Sequence, residues 1–238
     1  MRKNRPALFR GRHFEDIIIV LCVRWYLRYS LSYRDLEEMM LERGLSVDHT
    51  TVWRWVQRYA PELNKRIRRE VKSTNGSWRT DETYVRVAGR WTYLYRAVDS
   101  TGSTIDFLLS ETRDLEAARR FFQKALAAPG HPRPRVITVD GNPSYPTVIE
   151  QRKRAGMLGR RCRCRPVRYL NNIVEQDHRA IKRRINAKLG FRSFDGAWRT
   201  IQGYEAIHMI RKGQVRWLPK GDVVEQVQFI NATLGLAA

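Results

Sequence analysis

The chain has 238 residues, 42% hydrophobic and 29% charged, a balance that suits a globular protein with a sizeable buried core. Its 45 Lys+Arg against 24 Asp+Glu give a formal charge of +21, so the compact state repels itself and the expected partner is a polyanion. Three cysteines, Cys22, Cys162 and Cys164, exclude a disulfide framework, and the short apolar run Ile17–Val23, flanked by Asp16 and Arg24, is no bilayer span and lacks a signal-peptide cleavage pattern. The expectation is a cytoplasmic protein without a membrane partner.

Residues 1–12 read as a basic arm. Phe14, Ile17, Ile18, Leu21, Cys22, Trp25 and Tyr29 recur at helical spacing and predict an amphipathic helix over 14–29. Ser32 caps a second predicted helix, 33–43; Asp35, Glu37 and Glu38 in its first turns complement the positive end of the helix dipole, and Gly44 ends it. Asp48 is the expected N-cap of a third helix running to about Tyr59, with Pro61 just beyond. Two short helices joined by a glycine-containing turn, behind a longer one, form a helix-turn-helix arrangement. On the third helix Val52, Trp55, Val56 and Tyr59 share the inward side. Thr50, Thr51, Arg54, Gln57 and Arg58 fall on the opposite side, where a recognition helix carries its base- and phosphate-reading groups.

The polar stretch 73–77 predicts a linker. Beyond it the pattern changes to period two, giving strands over 81–87, 91–98 and 104–110. A helix over 114–127, a buried strand over 135–140 and a helix over 146–155 follow, so the expected class is α/β with a mixed sheet. Two more helices are expected around 198–210 and 223–234. The domain reading is 1–72 for the arm and helix-turn-helix domain, 73–77 for the linker, 78–190 for the α/β domain and 191–238 for a C-terminal helical extension.

In so basic a chain each acid needs a reason. Asp140 ends the apolar strand Val136–Val139, where carboxylates commonly face a ligand crevice, although Gly141-Asn142-Pro143 also suits a plain turn. On a helix over 173–189, Val174, Ile181, Ile185 and Leu189 make an apolar stripe with Glu175 at its rim. Lys182, Asn186 and Arg179 lie within about 40° of that carboxylate, and Asp177 points elsewhere. Residues 150–190 hold 13 Lys or Arg against three acids, and the basic run Arg160–Arg168 has the character of a phosphate-backbone footprint. Cys162 and Cys164 with His178 lack the spacing and the fourth ligand of a zinc site. On alternation Asp81 shares a strand face with Thr83, Val85 and Val87, while Glu82 points the other way; Asp99 reads as a turn residue and Asp106 as strand surface.

Asp81, Asp140 and Glu175, with 34 residues between the last two and Lys182 seven positions beyond, resemble the acidic triad of the DDE transposases and retroviral integrases. Asp81-Glu82-Thr83-Tyr84-Val85, the run Gly89–Asp99 and the run Asn171–His178 are similar to transposases of insertion-sequence family six. So are Tyr33-Arg34-Asp35-Leu36, Val52-Trp53-Arg54-Trp55-Val56 and Arg211-Lys212-Gly213-Gln214, and together they span the chain. Gly141 departs from the family, which has a basic residue there.

The resemblance implies a ribonuclease-H-like catalytic domain preceded by the all-α helix-turn-helix domain. It implies a metal-dependent enzyme that cuts at terminal inverted repeats and joins the freed 3′-hydroxyl to target DNA, commonly forming cointegrates. Asp81, Asp140 and Glu175 would then hold two Mg²⁺ ions, or Mn²⁺ in their place. Thr50, Thr51, Arg54, Gln57, Arg58, Arg179 and Lys182 would contact DNA. The implied partners are element ends and target duplex, met by a homo-oligomer associated with the nucleoid. A transcription regulator of the helix-turn-helix type is the alternative from another class; it binds an operator and breaks no strand.

Overall fold

A computed structural model describes residues 5–167, 172–186 and 190–236. The first four residues of the basic arm, Arg168 of the basic run, Asn171 and Leu189 of the helical stripe lie outside the described residues. The chain divides into two compact units, one of Met1–Val71 with Asn186–Ala238 and the other of Lys72–Ile185. No helix among the described residues is long and apolar enough to cross a membrane.

The first unit is all-helical: α1 (Asp16–Arg28), α2 (Tyr33–Leu41), α3 (His49–Ile67), α7 (Phe194–Arg211) and α8 (Val223–Leu234). The Ser32 hydroxyl accepts from the Asp35 N–H and the Asp35 carboxylate accepts from the Ser32 N–H, a reciprocal cap that fixes the start of α2. Asp48 caps α3 by accepting from the Thr50 N–H at 2.8 Å. Contrary to expectation α3 does not stop near Tyr59 but continues through Pro61. Its apolar stripe runs on through Leu63 and Ile67, both fully buried. Burying two such side chains is worth about 3–6 kcal/mol, enough to outweigh the ~3 kcal/mol an internal proline costs.

Residues 191–236, in the segment read from sequence as an extension over 191–238, pack within this same unit, α7 lying along α3 and α1. The contact is close because Gly203 has no side chain: a Cβ there would fall 2.6 Å from that of Ala60 and 2.7 Å from Leu27. Ala206, Ile207, Met209 and Ile210 are buried together with Ile201 and Tyr204, a coverage that no two-helix projection of α3 contains.

The second unit is a five-stranded mixed sheet of order β3-β2-β1-β4-β5. It comprises β1 (Ser77–Val87), β2 (Arg90–Asp99), β3 (Thr104–Ser110), β4 (Val136–Val139) and β5 (Arg163–Pro166), with helices α4 (Leu115–Ala127), α5 (Ser144–Arg154) and α6 (Asn172–Asn186). β1 to β3 form an antiparallel meander, whereas β4 pairs parallel to β1 and β5 parallel to β4, the ribonuclease-H-like arrangement. The β1–β2 hairpin turns at Ala88 and Gly89, both at positive φ, as a two-residue loop between twisted strands requires. Trp78, Tyr95 and Ala97 on one sheet face pack with Phe121 and Phe122 of α4 and Tyr145, Val148 and Ile149 of α5.

Three readings change here. Ser77, placed in the linker, opens β1. Part of the basic run, Arg163–Pro166, is an edge strand. Asp106 is not on a strand surface: it is buried and ion-paired to Lys124 of α4, which compensates its charge. Asp99 is a turn residue as expected, its Oδ1 accepting from the N–H groups of Thr101 and Ser103, each at 2.9 Å.

Candidate active site

The parallel pairing of β1 with β4 matches Thr80 to Val139, so Asp81, in the middle of β1, is the neighbour of Asp140, which follows the last residue of β4. Oxygen atoms of Asp81, Glu82 and Asp140 lie within 4.8 Å of one another. Each is held by the backbone or by side chains around it. Asp81 Oδ1 accepts from the Glu82 N–H at 2.8 Å, and Asp140 Oδ1 accepts from the Asn142 N–H at 3.1 Å. Burial, then the neighbouring Asp140 and Glu82 charges, push the Asp81 carboxyl up to about 7. Like charges collected in a partly dry site have this signature, and a bound cation relieves it.

Glu82 was assigned to the opposite strand face, and its surroundings agree: it stands across from Tyr95, on the face covered by α4 and α5. Yet its carboxylate still reaches the acidic group, a side-chain excursion that alternation alone does not reveal. Glu82 is buried and saturated with donors. The Tyr145 hydroxyl and the Arg113 guanidinium donate to it, and Asn142 Nδ2 donates at 3.1 Å. Arg113 also lies 3.6 Å from Asp140, tying the two acids through one cation. Sequence reasoning did not find Arg113, Asn142 or Tyr145; the only signal was the adjacent pair Asp81-Glu82 on a strand.

Glu175 sits in the first turn of α6, exposed, and outside the 4.8 Å group formed by the other carboxylates. Its charge nonetheless reaches Asp81 and contributes to raising that carboxyl. α6 is tied to the face opposite α4 and α5 by an ion pair of Asp177 with the fully buried Arg96, the cross-strand partner of Asp81. One turn after Glu175, His178 is buried with Nδ1 3.8 Å from Asp81 Oδ2. Burial and the Arg96 charge hold the imidazole well below its ordinary pKa, so it is neutral at pH 7. Lys182 is half-buried on the same side and its charge acts on His178, whereas Arg179 is exposed.

In the helical unit Thr50, Arg54 and Arg58 are exposed on α3 and Thr51 is half-exposed. Trp53, missed as a member of this surface, is 45% exposed beside them. Gln57 is a correction: it is buried and donates to Thr200 Oγ1 of α7 at 3.0 Å, so it faces a helix and not solvent. The reason is the packing of α7 on α3, which closes the flank where Gln57 projects.

The family DDE_Tnp_IS240, described as a DDE domain, matches residues 75–214. The chain is 41% identical over 210 residues, 88% of its length and 91% of the relative's, to the transposase for insertion sequence-like element IS431mec of Staphylococcus aureus. The same identity and coverage hold for the transposase of insertion sequence element IS257 in transposon Tn4003 of that organism. Among solved structures, the HTLV-2 integrase catalytic core domain in complex with magnesium shows a TM-score of 0.44 at 17% identity, covering 60% of this chain and 95% of that one. The matched domain and the transposase relatives identify a DNA strand-cleaving and strand-transferring enzyme. The chain belongs to the DDE transposases of insertion-sequence family six, which displaces the regulator alternative.

Proposed function

We propose that this transposase binds the terminal inverted repeats of its element through the outer face of α3, and cuts and joins DNA at Asp81, Asp140 and Glu175, yielding cointegrates. The observation that carries the proposal is the convergence of Asp81 and Asp140 from the adjacent strands β1 and β4 inside a matched DDE domain. The donor set suits a hard divalent cation: only oxygens, closely grouped, with one carboxyl already raised by its neighbours. Bound there, two Mg²⁺ ions, with Mn²⁺ as substitute, would activate the attacking oxygen and neutralise the leaving one.

The chain's own residues have separate tasks. Asp81 offers carboxylate oxygens from within β1 and Asp140 from just past the end of β4, and Glu175 offers a third from α6. Glu82, saturated by Tyr145, Asn142 and Arg113, is a support for the site and not a ligand. Neutral His178 spaces α6 from Asp81 without adding charge to a site that must accept cations. Lys182 and Arg179 on α6 would hold the phosphate backbone leading to the acids. The protein would act as a homo-oligomer on duplex DNA in the cytoplasm, at the nucleoid.

The test is direct. Purified protein with Mg²⁺ is expected to nick a duplex carrying an element end at the terminal 3′ position, and Asp140→Asn protein is not. Stable end binding without any nick by the wild-type protein would overturn the reading. A second expectation concerns recognition. Arg54→Ala should cost about 1–3 kcal/mol in specific end binding, as loss of a bidentate base contact does, with nonspecific binding little altered. A gel-shift titration showing unchanged affinity and unchanged sequence preference would refute it.

A further inference from the structure

The β1–β2 hairpin carries an exposed aromatic surface that neither the acidic site nor α3 uses. Tyr84 is 49% and Trp91 61% exposed. Tyr84 stands across from Tyr93, and Arg86 across from Trp91, so all four occupy one face of the hairpin. The rings lie edge to face or tilted, Tyr84 with Trp91 at 6.1 Å and Tyr84 with Tyr93 at 5.4 Å, and the Arg86 guanidinium lies over Trp91 at 5.9 Å. This is the face that, lower down, is sealed by α4 and α5 over Trp78 and Tyr95; the hairpin extends past that cover.

Large aromatics left in water cost solvation free energy, so a surface of this kind is normally a binding site. Two features identify the occupant. The exposed cations of the hairpin are Arg86 and Arg90, and residues 83–98 contain no acid, which suits a polyanion. The surface also leads to the acidic group: Tyr84 is two residues from Glu82 on the same strand face, and Arg113 pairs with Glu82 and lies 3.6 Å from Asp140. Bases within a duplex have their faces covered by neighbouring pairs, so rings presented at a cleavage site match unpaired bases, with arginines holding the backbone beside them.

We infer that Tyr84, Trp91 and Tyr93 form a stacking platform for unpaired DNA bases next to the cleavage site. This rests on the strand-cleaving function proposed above and adds where the opened strand lies. Stacking on an aromatic accounts for a large, sequence-tolerant share of single-strand affinity.

The experiment measures binding of the full-length protein, in EDTA so that no cleavage intervenes, to a labelled short oligothymidylate and to an element-end duplex at one fixed salt concentration. Tyr84→Ala and Trp91→Ala are each expected to weaken oligothymidylate binding roughly 5- to 100-fold, with duplex end binding unchanged and Trp91→Phe restoring most of the affinity. Both side chains are exposed, and an unchanged circular dichroism melt shows that the variants fold. Unchanged oligothymidylate affinity in both alanine variants overturns the inference. So does an equal loss on duplex, which reports a plain backbone contact, or a fall in oligomer size with single-strand affinity retained, which reports an interface between copies. Wild-type nicking is scored separately, so a failure of the strand-cleaving reading is distinguishable from a failure of the platform.

Discussion

Asp81→Asn is expected to abolish strand nicking while making the metal-free protein more resistant to heat above neutral pH. The first effect follows from removing a carboxylate ligand that the amide replaces poorly. The second follows from the raised carboxyl. Between an unfolded value near 3.8 and a folded value of about 7 the native state holds a proton that the unfolded chain has lost. Stability therefore falls as pH rises through that window, and the full penalty is present above about 7. Asparagine cannot ionise and escapes it. A shift of this size bounds the gain at about 4 kcal/mol, and partial exposure with relaxation reduces it to about 1–2 kcal/mol, or roughly 2–8 °C in melting temperature. Melts in EDTA at about pH 8 and about pH 4 check it: the Asn variant should melt higher at the first and nearly level with wild type at the second. An Asn variant less stable than wild type at the higher pH would remove the electrostatic argument. End binding should persist throughout, because α3 belongs to the other unit.

Glu82→Ala should be the most destabilising single change at the site. Its carboxylate accepts from Tyr145, Asn142 and Arg113, and its side chain is 2% exposed. Removal leaves a buried phenol and amide without that acceptor, at about 1–3 kcal/mol for the first alone. Arg113 is 38% exposed and can turn to water, so the total is expected near 2–4 kcal/mol and not at the upper limit for a broken buried pair. Glu82→Gln keeps the shape and one acceptor oxygen but gives up the charge. Arg113 then has Asp140 as its nearest remaining carboxylate, 3.6 Å away, and competes there with a divalent ion. The expected result is a nearly normal melting temperature with a several-fold higher Mg²⁺ requirement for nicking. A Gln variant with the wild-type Mg²⁺ dependence would show that Arg113 does not compete for Asp140.

These two residues also show where local sequence stops being informative. Asp140 at the end of an apolar strand and the alternating face of Asp81 were readable one at a time, because alternation and turn chemistry act over a few residues, although β1 begins at Ser77 and not at Asp81. That they touch depends on β4 pairing parallel to β1 with Thr80 beside Val139, a register set by the whole sheet. Glu82 shows the limit from the other direction. Alternation gave its strand face, but a flexible side chain pulled by three donors brings its carboxylate back to the acidic group.

The sequence by itself determined the polyanion-seeking charge, the three N-terminal helices with their Ser32 and Asp48 caps, the meander from β1 to β3, and the rim position of Glu175 on α6. Each is local: capping, periodicity and net charge need no distant partner. The tertiary structure alone decided the rest. Docking of α7 on α3 across Gly203 carried α3 past Pro61, buried Gln57 against Thr200, and joined residues 191–236 to the N-terminal helices. Burial of apolar surface between segments far apart in the chain drives all three outcomes, and that contribution exists only once those segments meet.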